Sequence, residues 1–170
     1  QRCVPPCTSA PDGSGAGRIL LSQVWQCEVS MALVQASGLC TMGCAVPLAM
    51  CPSIVERNRT VVSFSGDAGF LMVAGELATA ADLGLKTIFV VFVDASLALI
   101  ELKQRGRQMK NRGVDFGRSD FAAIARAFGG AGHCVRSTNE LTEALNTAQM
   151  ADTLTVIAVE IEKGAYDGRI

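Results

Sequence analysis

The residues of this chain best suited to chemistry are two carboxylates, Asp67 and Asp94, which stand 27 positions apart. Each closes a short run of β-branched and apolar residues, Thr60–Phe64 before the first and Thr87–Val93 before the second. Gly66 and Gly69 flank Asp67 and leave backbone N–H groups open at the start of a helix, where phosphate oxygens are favoured. Carboxylates beside such amides suit a hard cation such as Mg2+, shared between protein and phosphate oxygens. Spacing alone leaves other readings open. Acids at strand ends also serve as helix caps and solvated turns, and flavodoxin-like or receiver-type domains carry them there.

For both carboxylates to meet at one sheet edge, the chain between them must make a parallel crossover. Phe70, Val73, Ala74, Leu77, Ala78 and Ala81 recur at helical spacing, and Gly84 ends that run. A helix of this length between two buried strands implies a right-handed βαβ unit, with ligands held beyond the carboxyl ends of the strands. Downstream, the pattern predicts a helix over 97–104, a basic loop through Lys110 and Arg112, and a helix from a Ser119 or Asp120 cap through Phe128. Ser137 and Glu140 have capping-box spacing for a helix over 139–150, and residues 153–161 read as the last strand. This alternation predicts an α/β layer sandwich. Residues 1–17, rich in Pro, Gly and Ser, read as a disordered or linker segment, and residues 18–170 as one domain.

Composition agrees with that architecture. The 170 residues are 49% hydrophobic and 18% charged, enough apolar material for one real core. Mean hydropathy of +0.32 with only 5% aromatics points to a core of Val, Leu, Ile and Ala, as in strands buried on both faces. A net charge of -1 gives no basic footprint for nucleic acid. No apolar run approaches the roughly 18–20 residues of a membrane span. Cys40, Cys44 and Cys51 cluster, but His133 is remote and no CxxC pair exists, so a zinc site is not expected. Buried, reduced thiols of a cytoplasmic protein are expected instead. A start at Gln1 rather than Met reads as a fragment or processed product, from which a targeting signal could have been lost.

The stretch SFSGDAGFLMVAGELATAADLGLKTIFVVFVDASLALI resembles the signature of thiamine diphosphate enzymes, in which GDG is followed, after a helix and a strand, by NN. In its pattern it is most similar to the acetolactate synthase group, where GDA also replaces GDG and ELAT follows. GLCTMGCAVPLAM upstream and VDFGRSDFAAIARAFGG downstream resemble two further segments of that group, so the likeness covers roughly residues 38–161. It implies a three-layer α/β/α sandwich with a mostly parallel central sheet, the thiamine diphosphate-binding fold. The implied cofactors are thiamine diphosphate and Mg2+.

By this resemblance Asp67 and Asp94 would hold Mg2+ through their side chains and Ser96 through its backbone carbonyl. Gly66, Ala68, Gly69, Ser96 and Leu97 would surround the cofactor's diphosphate. Met42 matches the apolar residue against which the cofactor bends, with ordinary core packing as the alternative. Cys40 falls where a backbone carbonyl receives the aminopyrimidine N–H. Glu76 is expected to be structural. The implied reaction is decarboxylation or carboligation of a small 2-oxo acid.

This sequence departs from the pattern at three places. Asp94 stands in the place of the second asparagine and Val93 in that of the first. Pro52 falls inside an expected helix, where it would break or kink it at about 3 kcal/mol. The family's activating glutamate belongs to a pyrimidine-binding domain, on the same or a second chain, so this chain carries no catalytic residue of its own and is expected to work as part of a homo- or hetero-oligomer. Three alternatives stand beside a domain of a longer enzyme: one subunit of a split 2-oxo acid decarboxylase, a non-catalytic cofactor-binding module, and an unrelated regulatory α/β domain.

Overall fold

The β-branched runs become neighbouring central strands of a six-stranded sheet. A computed structural model describes residues 10–12, by backbone only, and 15–169. In chain order the elements are β1 (Ala10–Asp12), α1 (Ala16–Val24), β2 (Leu33–Gln35), α2 (Ala45–Val55), β3 (Val62–Gly66), α3 (Asp67–Leu71) and α4 (Glu76–Asp82). There follow β4 (Ile88–Val93), α5 (Ala98–Gly106), α6 (Phe121–Ala127), β5 (Ala131–Val135), α7 (Thr138–Met150) and β6 (Thr155–Glu160). Strand order is β2-β1-β3-β4-β6-β5, and every pairing is parallel.

Period-two alternation divides the core into two faces. Phe89, Val91, Val93, Val156 and Ala158 pack with α2, α3, α4 and α6 on one side. Val62, Ile88, Val90 and Ile157 pack with α7 on the other. A sheet covered on both faces is a three-layer α/β/α sandwich, and its central strands are buried except at half-buried Phe64, Phe92, Val159 and Glu160 and at exposed Gly66. Asp120 caps α6 by accepting from Ala123 N–H at 2.8 Å, and Ser137 caps α7 by accepting from Glu140 N–H at 3.3 Å.

Several expectations need correction. Within the segment expected to be a linker, Ala10–Asp12 pair as β1 with β2 and β3, and α1 begins at Ala16, ahead of Arg18. The Pro- and Gly-rich composition concealed a three-residue strand whose backbone is ordered by its two neighbours. The remaining residues of the linker expectation, 1–9, 13 and 14, lie outside the described residues. The crossover helix is two helices: between α3 and α4, Val73, Glu76, Leu77 and Ala78 each bond three residues back rather than four. Pro52 does not break α2, which runs on to Val55. Its position less than one turn from the helix end limits the loss. Ser53 next to it is anchored in the core, its Oγ donating to Ala49 O at 3.0 Å and lying 2.7 Å from Thr87 Oγ1. The described cysteines are free but not buried: Cys27, Cys40, Cys51 and Cys134 are exposed and Cys44 half-buried. Among the described residues no three His, Cys, Asp or Glu side chains converge as a metal site, and no helix is long and apolar enough to cross a membrane.

Candidate cofactor-binding cleft

Asp67 follows the last residue of β3 and begins α3, so the strand's end and the helix's start fix its position together. It is only 3% exposed. One carboxylate oxygen, Oδ1, accepts from Ala68 N–H at 2.8 Å; the other, Oδ2, accepts from Ala95 N–H at 2.8 Å. The second bond joins the loop after β3 to the loop after β4. Ala95 lies in the left-handed region at φ 55, a conformation that a non-glycine residue keeps only when its surroundings impose it. Here the bond to Asp67 holds its N–H, and a 3.2 Å bond from Phe116 N–H holds its carbonyl.

Asp94 follows β4 directly and is 8% exposed. Its Oδ1 accepts from Ser96 N–H at 3.0 Å, closing a tight turn. Its Oδ2 is buried with no partner among the described residues, and so is Ser96 Oγ. Burial pushes both carboxyls above the ordinary carboxylate range. For Asp67 the Asp94 charge adds to this, and for Asp94 the Glu101 charge does. Two buried carboxylates with raised pKa, one of them holding an unpaired oxygen, form a site that lacks positive charge. A divalent cation would supply it, and each Asp67 oxygen keeps a lone pair beyond its backbone bond.

These residues border one cleft of about 270 Å³. Its walls include Cys40, Met42, Gly66, Asp67, Ala68, Gly69, Asp94, Ser96 and Leu97, so every residue singled out as a ligand or wall residue in the sequence is brought to one place. Met42 is 37% exposed on the cleft wall, which removes ordinary core packing as its role. Cys40 holds a left-handed backbone, φ 49. Gly66 has open space where a Cβ would stand, whereas a Cβ on Gly69 would come within 3.3 Å of Ser65 Oγ. The cradle is therefore shaped for backbone approach.

Two expected contributions change. Ala68 N–H is already donated to Asp67, so it positions the carboxylate rather than standing open for phosphate. Leu97 N–H donates to Val114 O at 2.7 Å, which leaves Leu97 as a wall residue and start of α5. Glu76 opens α4, is exposed, does not line the cleft, and accepts from Thr79 Oγ1 at 3.5 Å. Sequence reasoning missed Arg18, Ser65, Phe92 and Tyr166, which also line the cleft. Arg18 adjoins a segment read as linker, and Tyr166 lies beyond the last motif.

A parallel sheet with buried acids at the ends of adjacent strands, bordering a cleft lined by Gly66 and Gly69, is the arrangement in which α/β domains hold phosphorylated ligands. The match of residues 13–159 to the thiamine pyrophosphate enzyme C-terminal TPP binding domain makes the class specific: the chain belongs to this family, whose cofactor is thiamine diphosphate, another name for thiamine pyrophosphate. It is 35% identical over 127 residues to the catabolic acetolactate synthase of Raoultella terrigena, covering 75% of this chain and 23% of that protein. It is 31% identical over 148 residues to the acetolactate synthase of Bacillus subtilis, covering 87% and 26%. The benzoylformate decarboxylase of Polynucleobacter necessarius superposes with a TM-score of 0.84 at 25% identity, over 95% of this chain and 31% of that one. The 4-hydroxybenzoylformate decarboxylase of Rhodococcus jostii shares the fold, with a TM-score of 0.88 at 17% identity, over 95% and 31%. The chain thus spans about a quarter of the length of the two acetolactate synthases.

Proposed function

We propose that this chain is the diphosphate- and Mg2+-binding part of an acetolactate synthase-like enzyme, a lyase or transferase that acts on small 2-oxo acids by decarboxylation or carboligation. The observation that carries the reading is the buried Asp67–Asp94 pair, with Asp94 Oδ2 unpartnered, at the rim of a cleft that Gly66 and Gly69 also line. Asp67 and Asp94 would hold the cation through their side chains and Ser96 through its carbonyl. Gly66 and Gly69 would let the diphosphate approach the backbone, and Met42 and the Cys40 carbonyl would bear on the rest of the cofactor. Bound thiamine diphosphate supplies the electron sink that a 2-oxo acid needs in order to lose CO2.

Among the described residues lining the cleft, Asp67 and Asp94 are the only carboxylates. Both are committed to backbone N–H groups and the cation, so proton transfer calls for a glutamate from a pyrimidine-binding domain, on the same or a second chain, in an oligomer. The free thiols support a reducing, cytoplasmic setting. A broken helix at Pro52 would favour a decayed, non-catalytic module, whereas α2 runs on through Pro52 to Val55.

The test is CO2 release from pyruvate with Mg2+ and thiamine diphosphate, run with this chain alone and with an added pyrimidine-binding domain of an acetolactate synthase. Release in the mixture alone is expected. Turnover by the chain alone would overturn the need for a partner, and a mixture that assembles but stays inactive would overturn the enzymatic reading.

A further inference from the structure

Arg18 lies in the first turn of α1 and lines the same cleft. Its Nε is sealed from water and has no partner among the described residues. Guanidinium offers only donors and keeps its proton in any protein setting, so Arg18 brings to the cleft wall a permanent positive charge with an unmet need for an acceptor. Among the described residues lining the cleft, Arg18 is the sole basic side chain. Gly17 beside it packs on the Phe92 ring, where a Cβ would stand 3.6 Å from Cδ2, which places the first turn of α1 over the end of β4, two residues before Asp94.

Charge points the same way. Asp67 and Asp94 as carboxylates together neutralise one divalent cation. A diphosphate that joined them would bring its whole negative charge into a half-buried space with only backbone dipoles to meet it. A fixed guanidinium there gives the missing countercharge, and its planar fork suits phosphate oxygens.

We infer that Arg18 is an anion-binding residue of this cleft that takes an oxygen of the cofactor's diphosphate. The inference rests on reading the cleft as the cofactor site. It is tested on the full chain by calorimetric titration with Mg2+ plus inorganic pyrophosphate, and with Mg2+ plus thiamine diphosphate. Arg18→Gln should weaken both ligands by about tenfold or more, the range of a hydrogen bond to a charged group. Arg18→Lys should recover part of the loss, because charge returns without the fork.

On the unaltered chain, phenylglyoxal labelling of Arg18, read by mass spectrometry, should be blocked by Mg2+-pyrophosphate and not by pyruvate. That measurement decides the matter should a variant fail to fold. Unchanged affinity in Arg18→Gln, or labelling untouched by pyrophosphate, overturns the inference. Protection by pyruvate instead overturns it in favour of a substrate carboxylate. Loss of binding in Asp67→Asn but not in Arg18→Gln would leave the cofactor site standing without Arg18. A wild-type chain that binds neither ligand overturns both.

Discussion

Replacing Asp94 with asparagine should stabilise the unliganded protein and weaken its response to Mg2+. Asp94 is 8% exposed, its Oδ2 has no partner, and burial together with the Glu101 charge raises its pKa. A carboxyl whose pKa is raised on folding favours the folded state while it is protonated, and that advantage is lost as pH rises through the folded value. Above that value the unliganded fold therefore carries an unfavourable charge. The substituted amide would keep an oxygen for the 3.0 Å bond from Ser96 N–H and discard the charge.

An unpaired buried polar group costs about 1–3 kcal/mol, and the new amide N–H groups give some of that back, which leaves a gain of about 1–2 kcal/mol. For a chain of this size that gain corresponds to a rise in Tm of about 2–8 °C. Scanning calorimetry at pH 7.5 in EDTA measures it, with a second scan after Mg2+ and thiamine diphosphate are added. The advantage should shrink as pH falls through the raised Asp94 value and the wild-type carboxyl protonates. Once ligand is present, wild type should gain more than the variant. An Asp94→Asn protein that melts at or below wild type in EDTA at pH 7.5 would refute the reasoning.

Two further outcomes follow from the β5–β6 side of the sheet. Arg136 and Arg118 reach Glu160 at 2.9 and 3.4 Å and, with Cys134, hold its carboxyl down to about 2. The stability it lends is present above the ordinary value near 4.5 and lost as pH falls toward about 2, so Glu160→Gln should flatten acid unfolding across that window. Both arginines are largely exposed, so the cost at pH 7 should stay below about 1 kcal/mol and fade in high salt, as urea titrations at two salt concentrations would show. Gly132 lies against the backbone of α6, where a Cβ would fall inside contact distance of the Ala122 carbonyl and 2.6 Å from Ala122 Cα. Gly132→Ala should therefore cost about 3 kcal/mol, the upper range for overpacking, read as a fall in urea midpoint.

How much of this was legible depends on where each residue sits. β3, β4 and β6 were readable because burial on both faces demands runs such as Ile88–Val93, and the caps at Asp120 and Ser137 were readable because their side-chain bonds are local. β5 was missed: Ala131–Val135 is an edge strand, half-buried and glycine-containing, and follows directly on Gly129 and Gly130, which read as a helix end. β1 and β2 were missed because three-residue strands carry no period to detect. At the cleft, Asp67 and Asp94 announced themselves by their place after buried strands. The bond from Ala95 N–H to Asp67 did not, since it depends on a left-handed alanine that no composition rule selects. Arg18 and Tyr166 reach the cleft through tertiary structure alone.

The central claim is that the carboxylates at the ends of β3 and β4 hold Mg2+ and through it the diphosphate. Calorimetric titration of thiamine diphosphate into wild type and Asp67→Asn, each with and without Mg2+, tests it most directly. Saturable, Mg2+-dependent binding to wild type is expected, with affinity at least about tenfold weaker in the variant, the loss that follows when a hard cation's carboxylate ligand is removed. Equal heats for the two proteins, or wild-type binding indifferent to Mg2+, would contradict it.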